Sequence, residues 1–316
     1  MWITTGTVFN VNRGDMSITR VGELPPMEQF ISLKEGDTIV VHKNPIPGEP
    51  ACFSTEGKLL SPAHISCSLP EVFEAVKVGE PVFFDDGKIG GKIIAVQEQE
   101  FLVEITQANT SNSKLRAEKG INLPHSDLKI SGLTAKDKED LSFIALHADV
   151  VNFSFVNSIA DVKELLQELE QLKALEKIGI ILKIETQKAY NNLKDILLTA
   201  MKAKYVGVMI ARGDLAIETG WENIGRIQRE MLSICSAAHI PVIWATQVLE
   251  NLAKKGLPSR AEITDAVTSL SAECVMLNKG PYIIQAIQLL HSILSSMEEY
   301  QDKNGPMLPE LEKLPV

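Results

Sequence analysis

Apolar residues in the first part of the chain come in short runs broken by turn residues: Asp37-Thr38-Ile39-Val40-Val41, Pro81-Val82-Phe83-Phe84, Ile89 to Ile94 and Phe101-Leu102-Val103-Glu104-Ile105. Runs of this length, rich in Val, Ile and Phe, read as strands, so residues 1–128 are expected to form a small β-rich domain. Asp85-Asp86-Gly87-Lys88 lies between two such runs, and Asp-Gly accepts the positive φ of a tight turn, which predicts a hairpin. The stretch Pro45-Ile46-Pro47-Gly48-Glu49-Pro50 cannot donate a regular ladder and is expected at an edge or in a loop.

From Thr134 the rhythm changes to helix alternating with strand. A polar-capped helical segment, Thr134 to His147, precedes the apolar run Val150 to Phe155. In the next helix Val162, Leu165, Leu166, Leu169, Leu172 and Leu175 make one apolar stripe at helical spacing. Further strands are expected at Ile178 to Ile184, Tyr205 to Ile210, Pro241 to Ala245 and Cys274 to Leu277, with helices near 187–202, 222–238, 260–271 and 281–299. Successive βα units imply a parallel sheet, and the β-branched, largely unalternating strands fit one covered by helices, as in a barrel or a doubly wound sheet. A closed (β/α)8 barrel needs eight strands, whereas about five parallel βα units are legible over residues 129–300. Residues 301–316, with Pro306, Pro309 and Pro315, are expected to be a loose tail.

Composition narrows the class. The 316 residues are 45% hydrophobic and carry a net charge of −10, so the overall field repels phosphate and disfavours general nucleic-acid binding. No stretch reaches the ~20 apolar residues of a membrane span, and Met1 to Thr5 show no export signal; a cytoplasmic protein is expected. Cys52, Cys67, Cys235 and Cys274, like the six histidines, lack metal-ligand spacing, so reduced, partly buried thiols are expected, and carboxylates should hold any metal. No G-x-x-x-x-G-K-[ST] or strand-following G-x-G-x-x-G string occurs.

In parallel α/β folds the chemistry gathers beyond the carboxyl ends of the strands. One strand closes with Lys183-Ile184-Glu185, the next with Ala211-Arg212-Gly213-Asp214, the next with Thr246-Gln247. Lys183 and Glu185, two apart, point to one side. An ammonium and two carboxylates at one mouth suit Mg2+ and a phosphoryl group. Each residue also has a structural reading: Lys183 with Glu185 as an internal ion pair, Asp214 as a helix cap, Thr246 as a hydroxyl bonded to backbone.

These runs, together with Leu215-Ala216-Ile217-Glu218, Val248-Leu249-Glu250 and Arg260-Ala261-Glu262, resemble the pyruvate kinase family in order and spacing. Val82-Phe83-Phe84-Asp85-Asp86-Gly87 and Lys119-Gly120-Ile121-Asn122-Leu123-Pro124 resemble segments of that family's lid domain. The resemblance implies an incomplete (β/α)8 TIM barrel preceded by a β-rich lid, and phosphoryl transfer between phosphoenolpyruvate and ADP in glycolysis. It places Mg2+ on Glu185 and Asp214, and gives Lys183 the neutralisation of the moving phosphoryl group and the enolate oxygen. The backbone of Ala211, Arg212 and Gly213 would hold the pyruvate carboxylate, Thr246 would lie near the protonated carbon, and Lys119 would contact ADP or ATP phosphates.

The chain departs from the family in four places. The barrel strands that precede the lid, with their phosphate and K+ ligands, have no counterpart, nor does the C-terminal regulatory domain. Thr4 stands at an arginine position, and Leu277-Asn278-Lys279-Gly280-Pro281 replaces an L-S-G-E-T segment. Bare strand edges are rare, so a homo-oligomer or a barrel-completing segment is expected as partner. Two other classes remain open: a non-catalytic metal or phospho-ligand binding or regulatory protein, and a Mg2+-dependent lyase or aldolase that forms an enolate.

Overall fold

The computed structural model of the chain describes residues 8–11, 17–20, 22, 29–109 and 113–303. Its N-terminal part is built from strands: β1 (Val8–Val11), β2 (Ser17–Arg20), β3 (Phe30–Leu33), β4 (Thr38–His42), β5 (Cys52–Phe53), β6 (Leu59–Ser61) and β7 (Ala63–Ser66). After the one-turn helix α1 (Val72–Ala75) come β8 (Pro81–Phe84), β9 (Ile89–Val96), β10 (Glu100–Gln107), β11 (Ser113–Arg116) and β12 (Ile121–Asn122). Six of them make one sheet in the order β12-β8-β9-β10-β4-β7, antiparallel except between β4 and β7. Alternation does the folding here: Ile39, Val41, Val82, Phe84, Ile93 and Val103 are fully buried on one face, each contributing about 1.5–3 kcal/mol.

The hairpin at Asp85 to Lys88 is present, joining β8 to β9, with φ of 51°, 55° and 76° at Asp85, Asp86 and Gly87. The Pro45 to Pro50 segment runs outside the strands and touches the sheet through a single antiparallel bridge, Glu49 to His64.

The second part is a parallel sheet in chain order: β13 (Val150–Phe153), β14 (Gly179–Ile184), β15 (Val206–Ala211), β16 (Val242–Ala245) and β17 (Cys274–Val275). Its helices are α2 (Ala135–His147), α3 (Ile159–Gln171), α4 (Gln187–Asn191), α5 (Leu193–Ala200), α6 (Arg212–Thr219), α7 (Trp221–Ala237), α8 (Glu250–Lys255), α9 (Arg260–Thr268) and α10 (Ile283–Lys303). Capping boxes start α2 at Thr134, α3 at Ser158 and α9 at Ser259. Leu165, Leu169, Leu182, Ile184, Val208 and Ile210 share the buried core between sheet and helices. This is an incomplete α/β barrel, with five of the eight strands of a closed one. Among the described residues β13 and β17 pair on one side only, and Val150 on β13 is 47% exposed.

The structure corrects four boundaries. The α3 stripe stops short of Leu172 and Leu175: the helix ends at Gln171, Leu172 is exposed and Lys173 turns left-handed at φ 55°. The helix expected over 187–202 breaks at Asn192 into α4 and α5. Residues 212–219, of which the sequence reading takes Arg212 to Asp214 as the close of a strand and assigns no helix, form α6 directly on the end of β15. The loose tail does not begin at Gln301, because α10 continues to Lys303; residues 304–316 lie outside the described residues.

Candidate active site

The register of the parallel sheet sets Lys183 beside Met209 and Met209 beside Ile243. Ile180, Leu182 and Ile184 face the helices and are buried, so the alternation turns Lys183 to the other face of the sheet. There its Nζ lies 2.7 Å from Glu185 Oε1 and donates to Ser154 Oγ at 2.9 Å. Glu185 is 2% exposed, and its second oxygen accepts the Phe155 N–H at 2.5 Å. Phe155 holds φ 52° to present that amide, an uncommon conformation for a bulky residue. The internal ion pair therefore forms, and it forms at the carboxyl-end mouth.

Asp214 does not cap a helix. Ala211 is the N-cap residue of α6, and Asp214 stands in the first turn. Its carboxylate accepts a 3.5 Å hydrogen bond from the Asn122 amide, reaching across from β12. Burial, assisted by the nearby carboxylate of Asp86, pushes Asp214 above the usual range against the opposing pull of Asn122 and Lys183. Lys183 thus pairs directly with Glu185 and acts on Asp214 only through its charge. Farther along α6, burial pushes Glu218 up to about 7.

The N-terminus of α6 offers backbone N–H groups without intrahelical acceptors. Thr246 Oγ1 accepts the N–H of Gly213 at 3.1 Å, so the hydroxyl is bonded to backbone at the same place where an anion would bind. A Cβ built on Gly213 would meet only that Oγ1, at 3.8 Å. Packing inside the protein does not demand glycine here, and the space in front of the backbone stays open. The Arg212 side chain points away from this seat, into Asp265 and the carbonyls of Ala245 and Thr246.

Lys119 lies in the β-rich part, 3.3 Å from Asp85 Oδ1, with Lys88 3.1 Å from Oδ2. Burial works to raise Asp85, but the two ammonium groups outweigh it and hold its carboxyl below the usual range. The two parts meet close to the mouth, through Asn122 on Asp214, through Gly87 against Ile217, and through Lys188 with Asp127 at 3.0 Å. A cleft of about 650 Å³ opens along β13, lined by Ser154, Phe155 and Glu218 among others. Asn278 donates to Glu250 at 3.4 Å and Lys279 is exposed. Ile3 to Gly6, with Thr4, lie outside the described residues. The four thiols are unbridged, two of them exposed. No helix among the described residues is long and apolar enough to cross a membrane.

Sequence reasoning missed Ser154, the Phe155 amide, Asn122 and Asp86. Ser154 follows a strand end and was findable by the same rule that selected Lys183. Asn122 sits inside a quoted motif without an assigned role. The Phe155 amide left no signal, since a backbone donor carries no residue type.

Donor chemistry fits Mg2+: hard carboxylate oxygens, one of them on a buried group short of positive charge. Among the described residues no three His, Cys, Asp or Glu side chains form a ready-made cage, and Mg2+ characteristically takes one or two carboxylates plus water and substrate oxygens.

A parallel sheet with polar residues at its carboxyl mouth, joined to a β-rich module, defines an incomplete α/β-barrel protein. The profile described as "Pyruvate kinase, barrel domain" matches residues 20–287, and the chain belongs to the pyruvate kinase family. It is 32% identical over 276 residues to the pyruvate kinase of Geobacillus stearothermophilus, covering 85% of this chain and 44% of that protein. Against the Thermococcus litoralis pyruvate kinase it is 30% identical over 292 residues, covering 90% and 58%. The Hypocrea jecorina pyruvate kinase is 34% identical over 227 residues, covering 70% and 40%. The chain spans about half the length of the relatives it matches.

Proposed function

We propose that this chain carries the phosphoryl-transfer half of a pyruvate-kinase-type site, with residues 1–128 as the lid and 129–300 as the barrel portion. The observation that carries the reading is Lys183, held between Ser154 and Glu185 beside the under-compensated Asp214. The Lys183 ammonium neutralises charge on the phosphoryl group in flight and on the enolate oxygen, a stabilisation strongest where water is excluded. Backbone N–H groups of Ala211, Arg212 and Gly213 take the carboxylate of phosphoenolpyruvate or pyruvate, displacing the Thr246 hydroxyl from Gly213. Thr246 is thereby released toward the carbon that gains a proton. Lys119, exchanging Asp85 for phosphate oxygens, contacts the nucleotide. Glu185 and Asp214 would hold Mg2+, which supplies positive charge to phosphoryl oxygens. A homo-oligomer or a barrel-completing segment covers the edges of β13 and β17.

A coupled assay with phosphoenolpyruvate, ADP, Mg2+ and K+ tests this. Turnover that falls at least about a hundredfold in Lys183→Ala is expected; turnover indifferent to that substitution removes the assignment. A second reading, ligand binding without turnover, is favoured by one observation: Asn278 is taken up by Glu250 and Lys279 is exposed, so neither is held toward a phosphate. Calorimetry showing Mg2+-dependent oxalate binding without turnover selects it.

A further inference from the structure

The loop that carries Thr246 is bent against its own preferences. Thr246, Gln247 and Leu249 have φ of 66°, 56° and 47°, and a β-branched residue in that region is a genuine outlier. Something must over-determine the bend. Val248 and Leu249 are buried in the core and anchor its far end. At the near end the two carbonyls are gripped by the Arg212 side chain. Arg212 Nε donates to the Ala245 carbonyl at 2.8 Å, and Nη2 donates to the Thr246 carbonyl. The guanidinium is fixed in turn by a two-pronged pair with Asp265, Nη2 donating to Oδ2 at 2.9 Å and Nη1 to Oδ1. Its Cζ lies over the Trp244 ring, 4.4 Å from the centroid, and the Trp244 indole N–H donates to Asp265 Oδ1 at 3.3 Å.

We infer that Arg212 is a positioning residue that acts through the Thr246 carbonyl: it locks the left-handed turn and so places the Thr246 hydroxyl on the Gly213 N–H, the seat assigned above to the substrate carboxylate. The inference rests on that assignment for its functional meaning, but the geometry stands without it. One side chain links the two backbone segments that must fit a single ligand, the N-terminus of α6 and the end of β16. Lysine could not replace it, because a point charge offers neither the planar fork for two carbonyls and a carboxylate nor a face for the indole. Asp265 and Trp244 set the guanidinium plane, Arg212 sets the carbonyls, and the carbonyls set the hydroxyl.

The Gly213 amide reports on this directly, since a first-turn amide has no intrahelical acceptor and its protection from exchange comes from Thr246. Amide hydrogen exchange of the ligand-free protein is compared at Gly213 and at Ile210 in β15 as a reference. Thr246→Val, which deletes the hydroxyl, defines the unprotected limit. Arg212→Lys is expected to accelerate Gly213 exchange at least tenfold relative to Ile210, approaching that limit, and Asp265→Asn to give a smaller acceleration. Adding Gln247→Gly to Arg212→Lys supplies a residue that adopts the turn without help and should restore most of the protection. Gly213 protection unchanged in both Arg212→Lys and Asp265→Asn overturns the inference. So does an acceleration shared equally by Ile210, or one that Gln247→Gly leaves untouched, because either marks a buried ion pair that merely stabilises the fold. If Arg212→Lys does not fold, the Asp265→Asn comparison decides alone by the same criterion.

A separate titration with oxalate and Mg2+, read by Trp244 emission in a Trp2→Phe, Trp221→Phe background, tests the substrate seat. A protein that binds no oxalate but shows the exchange pattern sinks the proposed function and leaves the positioning role standing.

Discussion

Asp85 and Asp214 sit on either side of the junction between the β-rich module and the barrel portion, and they are treated in opposite ways. Asp85, in the turn after β8, lies between Lys88 and Lys119 and is held below the usual carboxylate range although burial works against it. Asp214, on α6, is raised by burial and by Asp86, which outweigh the Asn122 amide, Lys183 and its own backbone N–H. The backbone repeats the contrast. The module buries Phe84 and Val103 completely inside a sheet of its own, whereas the barrel portion exposes Val150 on a strand paired on one side among the described residues. A carboxylate answered by two cations above a closed apolar core serves stability. A buried carboxylate that is raised, as Asp214 is at the mouth between the two parts, is of the kind that gathers at functional sites.

The contrast in packing breaks first under truncation. Phe84→Ala should cost about 3–5 kcal/mol, read by denaturant unfolding, while Val150→Ala should cost less than about 1 kcal/mol. Similar losses would show that the exposed edge of β13 is covered in solution. Next in size is Glu218. Its folded value of about 7 lies above the ordinary 4.5, so the fold favours the protonated form. That preference contributes fully below pH 4.5 and is lost as pH rises through 7, on the order of 3 kcal/mol across the window. Glu218→Gln should therefore flatten the decline in stability between pH 4.5 and about 7, the span between its ordinary and folded values; a decline that persists assigns it to another group.

The smallest effect carries the sharpest sign test. Asp85 has a lowered folded value, so its contribution is present above the unfolded carboxylate range and disappears as pH falls through the folded value. Asp85→Asn should cost about 1–3 kcal/mol at neutral pH. Asp214→Asn should cost nothing or add slightly to stability at the same pH, because it removes an ionised group that burial disfavours, while weakening Mn2+ binding measured by electron paramagnetic resonance. Two losses of equal sign and size would erase the difference between the regions.

Much of the fold was legible because its signals are local. Short apolar runs rich in Val, Ile and Phe announced β4, β8 and β10, the Asp-Gly turn announced the hairpin, and the polar residues closing successive apolar runs drew attention to Lys183, Glu185, Asp214 and Thr246. Helix ends were less legible: α3 stops where Lys173 turns left-handed, and nothing in the leucine spacing forecasts that.

Residue identity and order along the chain determined which elements form, the parallel sense of the second sheet and the family to which the chain belongs, since periodicity and turn chemistry act over a few neighbours. Tertiary structure decided everything that depends on distance across the chain: Asn122 against Asp214, 92 positions apart, Arg212 on Asp265 and Trp244, and the Phe155 amide on Glu185. Long-range contacts of this kind arise from register between strands and from backbone groups that carry no letter in the sequence, which is why they become visible only when the sheet is assembled.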